Sequence, residues 1–285
     1  MTDVLRYAAF TTDPATGNPA GVVLDADGLT DMDMQRIAEE VGYSETAFAV
    51  AVADRRFGLR YFSPLAEVSF CGHATIATAV ALAERDGAGD LVFETKAGEI
   101  PVRTGEQSTP PHRIVASLVS VATRSRPAED DELARALSAL RWPTEDLDPA
   151  WPPHVAFAGN NHLLLAAATR ERLADLDYDF EALKSLMLER DWTTVALFWP
   201  ENERTVHARD PFPVGGVVED PATGAAAAAY GGYLRATGQV PTPRRLTIVQ
   251  GEDMGRRSEL TVDIDPTDPR VTVTGTATKI NESER

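Results

Sequence analysis

The chain has 285 residues, 43% of them hydrophobic, enough to bury a sizeable core as one large domain or as two lobes. A formal net charge of −17 argues against general nucleic-acid binding, which needs clustered Lys and Arg, but not against a small anionic substrate held by backbone amides or one arginine. A single cysteine, Cys71, excludes an internal disulfide and any multi-cysteine metal site, and no apolar run nears the roughly 18 residues of a membrane span.

The opening MTDVLRYAAF is too short and too polar for a signal peptide, so a cytoplasmic location is expected. Within it, RYAAF reads as a strand, followed by the turn Gly17-Asn18-Pro19 and the apolar run Gly21 to Leu24. Asp31 to Val41 places Met34, Ile37, Ala38 and Val41 at helical spacing, with Thr30 or Asp31 as cap. Strands are expected at Thr46–Val50 and around Leu59–Phe62. The small-residue segment Cys71 to Ala88 reads as a helix, and Leu91–Glu94, Ile100–Arg103 and Arg113–Ala122 as strands. A break is marked by Thr109-Pro110-Pro111, with Thr123 to Asp131 as the competing linker, and Trp142 to Pro153 reads as a surface loop.

The order then recurs about 150 residues later, the signature of an internal repeat. Strand His154–Ala158, turn Gly159-Asn160, apolar run Leu163–Ala168, helix Phe180–Glu189 and strand Thr194–Trp199 lead to a second small-residue helix, Pro221 to Gly238. Strands at Leu246–Val249, Leu260–Ile264 and Val271–Thr274 close the series. Helices built of Ala and Gly let other backbone approach on every side. Each is therefore expected at the centre of a lobe, wrapped by a curved mixed sheet. This predicts an α+β fold with lobes at 1–122 (central helix about 73–86) and 123–285 (central helix about 222–237).

Both small-residue helices open with a glycine-containing turn, Cys71-Gly72-His73 and Asp220-Pro221-Ala222-Thr223-Gly224, and helix starts attract anions. Glu45 stands just before an apolar strand. Partial desolvation there would suit it to take and give a proton, although bonding a neighbouring amide would equally explain an acid at that place. The equivalent stretch Trp192-Thr193-Thr194 has no acid. His73 is read either as a ligand group or as a buried neutral histidine bonded to a carbonyl. Asp220 is read either as a ligand group or as the cap of a helix with Pro221 at its first position. Cys71 at a helix start is a competing base, but Pro221 stands opposite it in the repeat, so a two-thiol mechanism is unavailable. Arg209, which with His207 precedes the Asp220 motif, is expected to form an ion pair within its lobe, and Gly255-Arg256 to lie in a turn-rich loop. His112, His154 and His162 show no metal-ligand spacing, and no phosphate-binding, dinucleotide-binding or serine-elbow motif is present.

Taken together, Gly17-Asn18-Pro19, Ser44-Glu45-Thr46-Ala47-Phe48, Phe62-Ser63-Pro64, Glu67, Cys71-Gly72-His73-Ala74-Thr75, Glu219-Asp220-Pro221-Ala222-Thr223-Gly224 and Gln250-Gly251…Gly255-Arg256 resemble the phenazine-biosynthesis isomerase (PhzF-like) family, from about Val4 to about Thr276. The resemblance implies the diaminopimelate-epimerase-like fold of two pseudo-symmetric lobes, a homodimer, and proton-shuttling isomerisation of a small carboxylate without cofactor or metal. It implies Glu45, His73 and Asp220 as catalytic residues. Asn18, Cys71, Gly72, Gly224, Ala225, Gly255 and Arg256 would contact substrate. The phenazine enzymes carry serine where this chain has Ala225, which favours a different substrate. An epimerase, racemase or dehydratase using Cys71, and a non-catalytic binding protein on the same fold, are the alternatives.

Overall fold

The computed structural model describes residues 2–107 and 113–281, so the expected break at Thr109-Pro110-Pro111, and His112, lie outside the described residues. Its contacts divide the chain into two compact units. The first comprises the described parts of Met1–Val119 and Thr274–Arg285, the second Ser120–Val273.

The first unit contains β1 (Leu5–Ala9), β2 (Asn18–Val23), α1 (Asp31–Val41), β3 (Glu45–Ala53), β4 (Arg56–Phe62), β5 (Glu67–Val68), α2 (Gly72–Asp86), β6 (Asp90–Thr95), β7 (Gly98–Glu106) and β8 (Ile114–Val119). The second contains β9 (Arg124–Pro127), α3 (Asp130–Leu140), β10 (His154–Phe157), β11 (Asn161–Ala166), α4 (Arg170–Ala174), α5 (Phe180–Arg190), β12 (Trp192–Pro200), β13 (Thr205–Pro211), β14 (Glu219–Asp220), α6 (Gly224–Ala236), β15 (Arg244–Gln250) and β16 (Ser258–Ile264). The last strand, β17 (Val271–Lys279), carries the chain across the division. Its residues 277–279 pair with β1, which is why 274–281 belong with the first unit although the sequence assigns them to the second.

The repeat is written in the strand pairing. Along β17–β1–β2–β3–β4–β6–β7 the neighbours run antiparallel, antiparallel, parallel, antiparallel, parallel and antiparallel. Along β9–β10–β11–β12–β13–β15–β16 the same series occurs in the same order. In the first unit β7 pairs onward with β8, and β8 with β17, so the sheet closes into a ring. The short strands β5 and β14 occupy matching places beside β4 and β13, each directly before a small-residue helix.

Those helices are the cores of their units. Every residue of α2 from His73 to Ala83 is buried, against β1, β2, β3, β7 and β8. Ala226 to Leu234 of α6 are buried against β9, β10, β11 and β16. The approach is close enough that bulk is excluded: a Cβ added at Gly232 would lie 2.5 Å from Thr123 Oγ1, and one at Gly231 2.9 Å from Val271. The outer layer is conventional. Thr30 caps α1 in a capping box with Asp33, Gly42 ends it at φ 70°, and Met34, Ile37 and Ala38 pack on Val23, Phe48 and Phe62.

Two expectations are corrected. Thr123–Asp131 is not a linker, because β9 and the first turn of α3 occupy it and β9 pairs with β10. Trp142–Pro153 is not simply a surface loop. Trp142 is buried among α3 and α5 side chains, and Leu147 bridges to Ala167, so apolar anchors fix an acidic, proline-rich segment.

Candidate active site

In the first unit, parallel pairing of β2 and β3 sets Ala20 beside Glu45 and Gly21 beside Thr46. Gly21 permits this contact, since a Cβ there would lie 2.5 Å from Thr46 Oγ1. Asn18, two residues before Ala20, is buried at the start of β2, and Glu45 at the start of β3 keeps 18% of its side chain exposed. The start of α2 comes to the same strand ends. Cys71, in extended conformation, is its N-cap residue and makes no side-chain cap bond. Cys71 Sγ lies 3.4 Å from Glu45 Oε2 and 3.3 Å from His73 Nδ1; His73 Nε2 lies 3.5 Å from Glu45 Oε2 and 3.4 Å from Ser44 Oγ. Asn18, Glu45, Cys71, Gly72 and His73 thus belong to one unit, and the last four to one local constellation.

The helix start is locked from below. Thr75 Oγ1 donates to the Cys71 carbonyl at 2.6 Å and receives the Tyr61 hydroxyl at 2.7 Å. Burial pushes the Tyr61 phenol upward, which keeps its proton in place as the donor. Glu67, which belongs to the same motif series, is held by Arg60 through two bonds of 2.8 Å and drops to about 2. Its role is to fix β5 on β4, one step before α2.

In the second unit the corresponding place is built differently. Asp220 is not the cap of α6: the helix starts at Gly224 with Thr223 as N-cap residue, because residues 221–223 make a turn before it. Thr223 Oγ1 donates to Asp220 Oδ2 at 2.6 Å. Gln250, buried at the end of β15, ties this turn together. Its amide donates to the Asp220 carbonyl at 2.7 Å and to Thr223 Oγ1 at 3.0 Å, and its oxygen accepts the Thr223 N–H at 3.0 Å. Asp220, Thr223, Gly224 and Ala225 remain partly accessible. Gly251, at φ 73°, admits the close pass of the Pro221 backbone, where a Cβ would meet the Pro221 carbonyl at 2.8 Å. Gly255 and partly buried Arg256 follow in the next turn, with the Arg256 N–H bonded to Gly251 O.

Behind Asp220 lies a buried polar layer. Arg209 forms the expected ion pair within its unit, with Glu219, and His207 Nε2 faces Glu201 at 3.2 Å. The Arg209–Glu219 contact is a two-pronged fork, and Arg209 also donates to the Ala174 carbonyl. Asp210, opposite Asp220 in the β13–β14 pair, is fully buried and accepts from Thr194 Oγ1 at 2.7 Å. Burial, with Asp220 and Glu219 nearby, raises its carboxyl well above the ordinary range despite the Thr194 bond. His162 Nδ1 lies 2.8 Å from Thr194 Oγ1, and burial lowers this imidazole to about 3. With Thr194 donating to Asp210, His162 must donate through Nδ1, and burial favours the uncharged form of both the imidazole and the carboxyl.

Residues 7–283 match the family described as phenazine biosynthesis-like protein. The chain belongs to this family. It is 31% identical to the uncharacterized isomerase YfhB of Bacillus subtilis, over 99% of this chain and 97% of that protein. It is 32% identical to the trans-2,3-dihydro-3-hydroxyanthranilate isomerase of Pseudomonas chlororaphis, over 88% of this chain and 86% of that one. The crystal structure of a Bacillus anthracis PhzF-family protein superposes with a TM-score of 0.86 at 30% identity, covering 98% and 96% of the two chains. A hydroxyproline epimerase and a probable proline racemase, at 14% and 13% identity, share the fold alone. The fold is therefore the α+β diaminopimelate-epimerase-like one, and the chain is an isomerase of the PhzF-like family.

Sequence reasoning missed Ser44, Tyr61, Thr223 and Gln250 as supports of the two helix starts. Gln250 was legible only as part of a motif, since no spacing rule links a strand-end glutamine to a turn 27 residues earlier. It also missed that Glu45, Cys71 and His73 offer one donor atom each within 4.8 Å, a set able to hold a metal ion. Among the described residues no helix is long and apolar enough to cross a membrane.

Proposed function

We propose that this PhzF-like isomerase moves a proton between carbon atoms of a small, carboxylate-bearing metabolite without a cofactor, with Glu45 as the carrier. The observation that carries the reading is the Glu45 carboxylate itself: partly exposed at a strand end, and held against Cys71 and His73 at the start of α2. A carboxylate there takes a proton from an activated carbon, is briefly the neutral acid, and returns the proton to a second carbon. His73 would polarise the substrate group that gains charge, and Asp220 would hold a polar group of the substrate. The amides at Gly72 and Gly224 suit a carboxylate, as helix starts do. Asn18, Cys71, Ala225, Gly255 and Arg256 would contact substrate.

The Pseudomonas chlororaphis relative acts on a ring carboxylate of the right kind. Ala225, however, offers a methyl where the resemblance to the phenazine enzymes leads one to expect a serine hydroxyl, and a site built around such a bond discriminates strongly. A related but different unsaturated or cyclic carboxylate is therefore the expected substrate. The working form is expected to be a homodimer in the cytoplasm, testable by sedimentation at micromolar concentration.

Incubating the protein in deuterated water with a panel of small carboxylates, with mass spectrometry as readout, tests the reading. Glu45→Gln should abolish deuterium incorporation while leaving folding intact; full exchange in that variant would sink the assignment. A second reading, Cys71 as the base, is favoured by its 3.3 Å approach to His73 Nδ1. Cys71→Ala distinguishes the two, since retained exchange removes the thiol from the mechanism.

A further inference from the structure

Glu45, Cys71 and His73 support a second chemistry that proton transfer does not use. We propose that they form a zinc-binding site with one open coordination position, in which metal occupancy and proton carrying exclude one another. The metal site stands on geometry and does not depend on the isomerase reading. The exclusion does.

The spacing of the three donors is close to that around a coordinated ion. Cys71 Sγ, His73 Nε2 and Glu45 Oε2 are separated by 3.8 Å (S to N), 3.5 Å (N to O) and 3.4 Å (S to O). A tetrahedral zinc ion, with bonds of about 2.3 Å to sulfur and about 2.0 Å to nitrogen and oxygen, separates such donors by roughly 3.3–3.6 Å. Movements of a few tenths of an ångström would set these separations. The His73 ring must also turn to aim a nitrogen lone pair at the ion, because Cys71 Sγ lies beside the ring, 3.3 Å from Nδ1 and 3.8 Å from Nε2. Three protein ligands with the fourth position open is the arrangement of catalytic rather than structural zinc. Thiolate and imidazole together favour zinc over magnesium or calcium, which take oxygen donors.

The surroundings fit entry and charge. Cys71 and His73 are buried at 8% and 6% exposure, whereas Glu45 keeps 18%, so the carboxylate side is the way in. Binding releases the thiol proton to solvent, and the thiolate with the carboxylate then balances the two positive charges of the ion. His73 Nε2 would give up its 3.4 Å contact with Ser44 Oγ. A metal-bound Glu45 oxygen cannot act as a base, so the ion would block the proposed proton transfer.

The test uses the full-length protein, freed of metal by a chelator, titrated with cobalt(II) and then with zinc(II). A cobalt–thiolate charge-transfer band should rise to saturation at one equivalent and be displaced by one equivalent of zinc. Cys71→Ser should abolish the band, and Cys71→Ser and Glu45→Gln should each weaken zinc binding at least tenfold. Near-ultraviolet circular dichroism checks the fold of each variant. Should Cys71→Ser fail to fold, Glu45→Gln and the alkylation rate of Cys71 in the unaltered chain decide instead, with zinc slowing alkylation at least tenfold. Absence of the band in the folded protein, zinc affinity unchanged in Glu45→Gln, or alkylation unaffected by zinc overturns the site. None of these readouts needs a substrate. Zinc binding without deuterium exchange would leave the site standing and refute the isomerase reading, and the converse would do the opposite.

Discussion

Glu219→Ala tests the buried layer beneath Asp220. Arg209 and Glu219 are 7% and 6% exposed, and Glu219 takes both prongs of the guanidinium fork. Removing the carboxylate leaves a desolvated cation held by the Ala174 carbonyl, 2.6 Å away. Breaking one side of such a pair costs about 3–5 kcal/mol, because the lost Coulomb attraction no longer offsets desolvation. For a chain of this size each kcal/mol is worth roughly 2–4 °C, so the melting transition should fall by roughly 10 °C. Glu219→Gln keeps one acceptor for the fork and should lose less. The double variant Arg209→Met/Glu219→Leu removes both charges and should recover most of the stability, since a packed apolar pair can replace a buried ion pair. Urea denaturation followed by tryptophan fluorescence reads all three. A loss under about 1 kcal/mol in Glu219→Ala, or a double variant no more stable than it, would refute the reasoning.

Three further outcomes follow from the same layer and its packing. Asp210 stays protonated in the fold above its usual 3.8, whereas the unfolded chain ionises there. The folded state then binds more protons, and stability falls as pH rises from about 4. Asp210→Asn should flatten that slope and raise stability at pH 7, measured by urea midpoints from pH 4 to 8; an unchanged slope would show that Asp210 is ionised. His162 works in the opposite sense: neutral in the fold down to about 3, it takes up a proton below 6.5 when unfolded, so stability is lost as pH falls from 6.5 to about 3. His162→Asn keeps a donor toward Thr194 and should remove that acid-side loss, on the order of 1.4 kcal/mol per pH unit within the window. Gly232→Ala should cost about 1–3 kcal/mol by overpacking. Thr123 cannot retreat from the added Cβ, because its hydroxyl donates to the Pro269 carbonyl and accepts from Arg235. Wild-type stability in that variant would mean that β9 moves freely over α6.

Local pattern made much of this protein legible in advance. Helical spacing located α1 and α5 closely, because one face of each is buried and the other solvated. The Ala- and Gly-rich runs announced α2 and α6 as central, since only small side chains let strands approach from several directions. The repeat offset foretold the common strand order of the two units. Motif spacing placed Glu45, Cys71 and His73 among the residues to watch.

Tertiary structure decided what depends on partners distant in sequence. Asp220 resembled a helix cap by its Asp-Pro pair, but Gln250, arriving from β15, holds residues 221–223 in a turn and moves the helix start to Gly224. β17 looked like the last strand of the second lobe until its pairing with β1 assigned 274–281 to the first unit. No pattern in the sequence singled out Asp210; full burial opposite Asp220 is what raises its carboxyl above the ordinary range. The meeting of Glu45 with Cys71 and His73 likewise needs the parallel β2–β3 register to bring a strand start to a helix start. Periodicity reports which face of an element is buried; hydrogen-bond register and desolvation depend on what the chain returns to cover it.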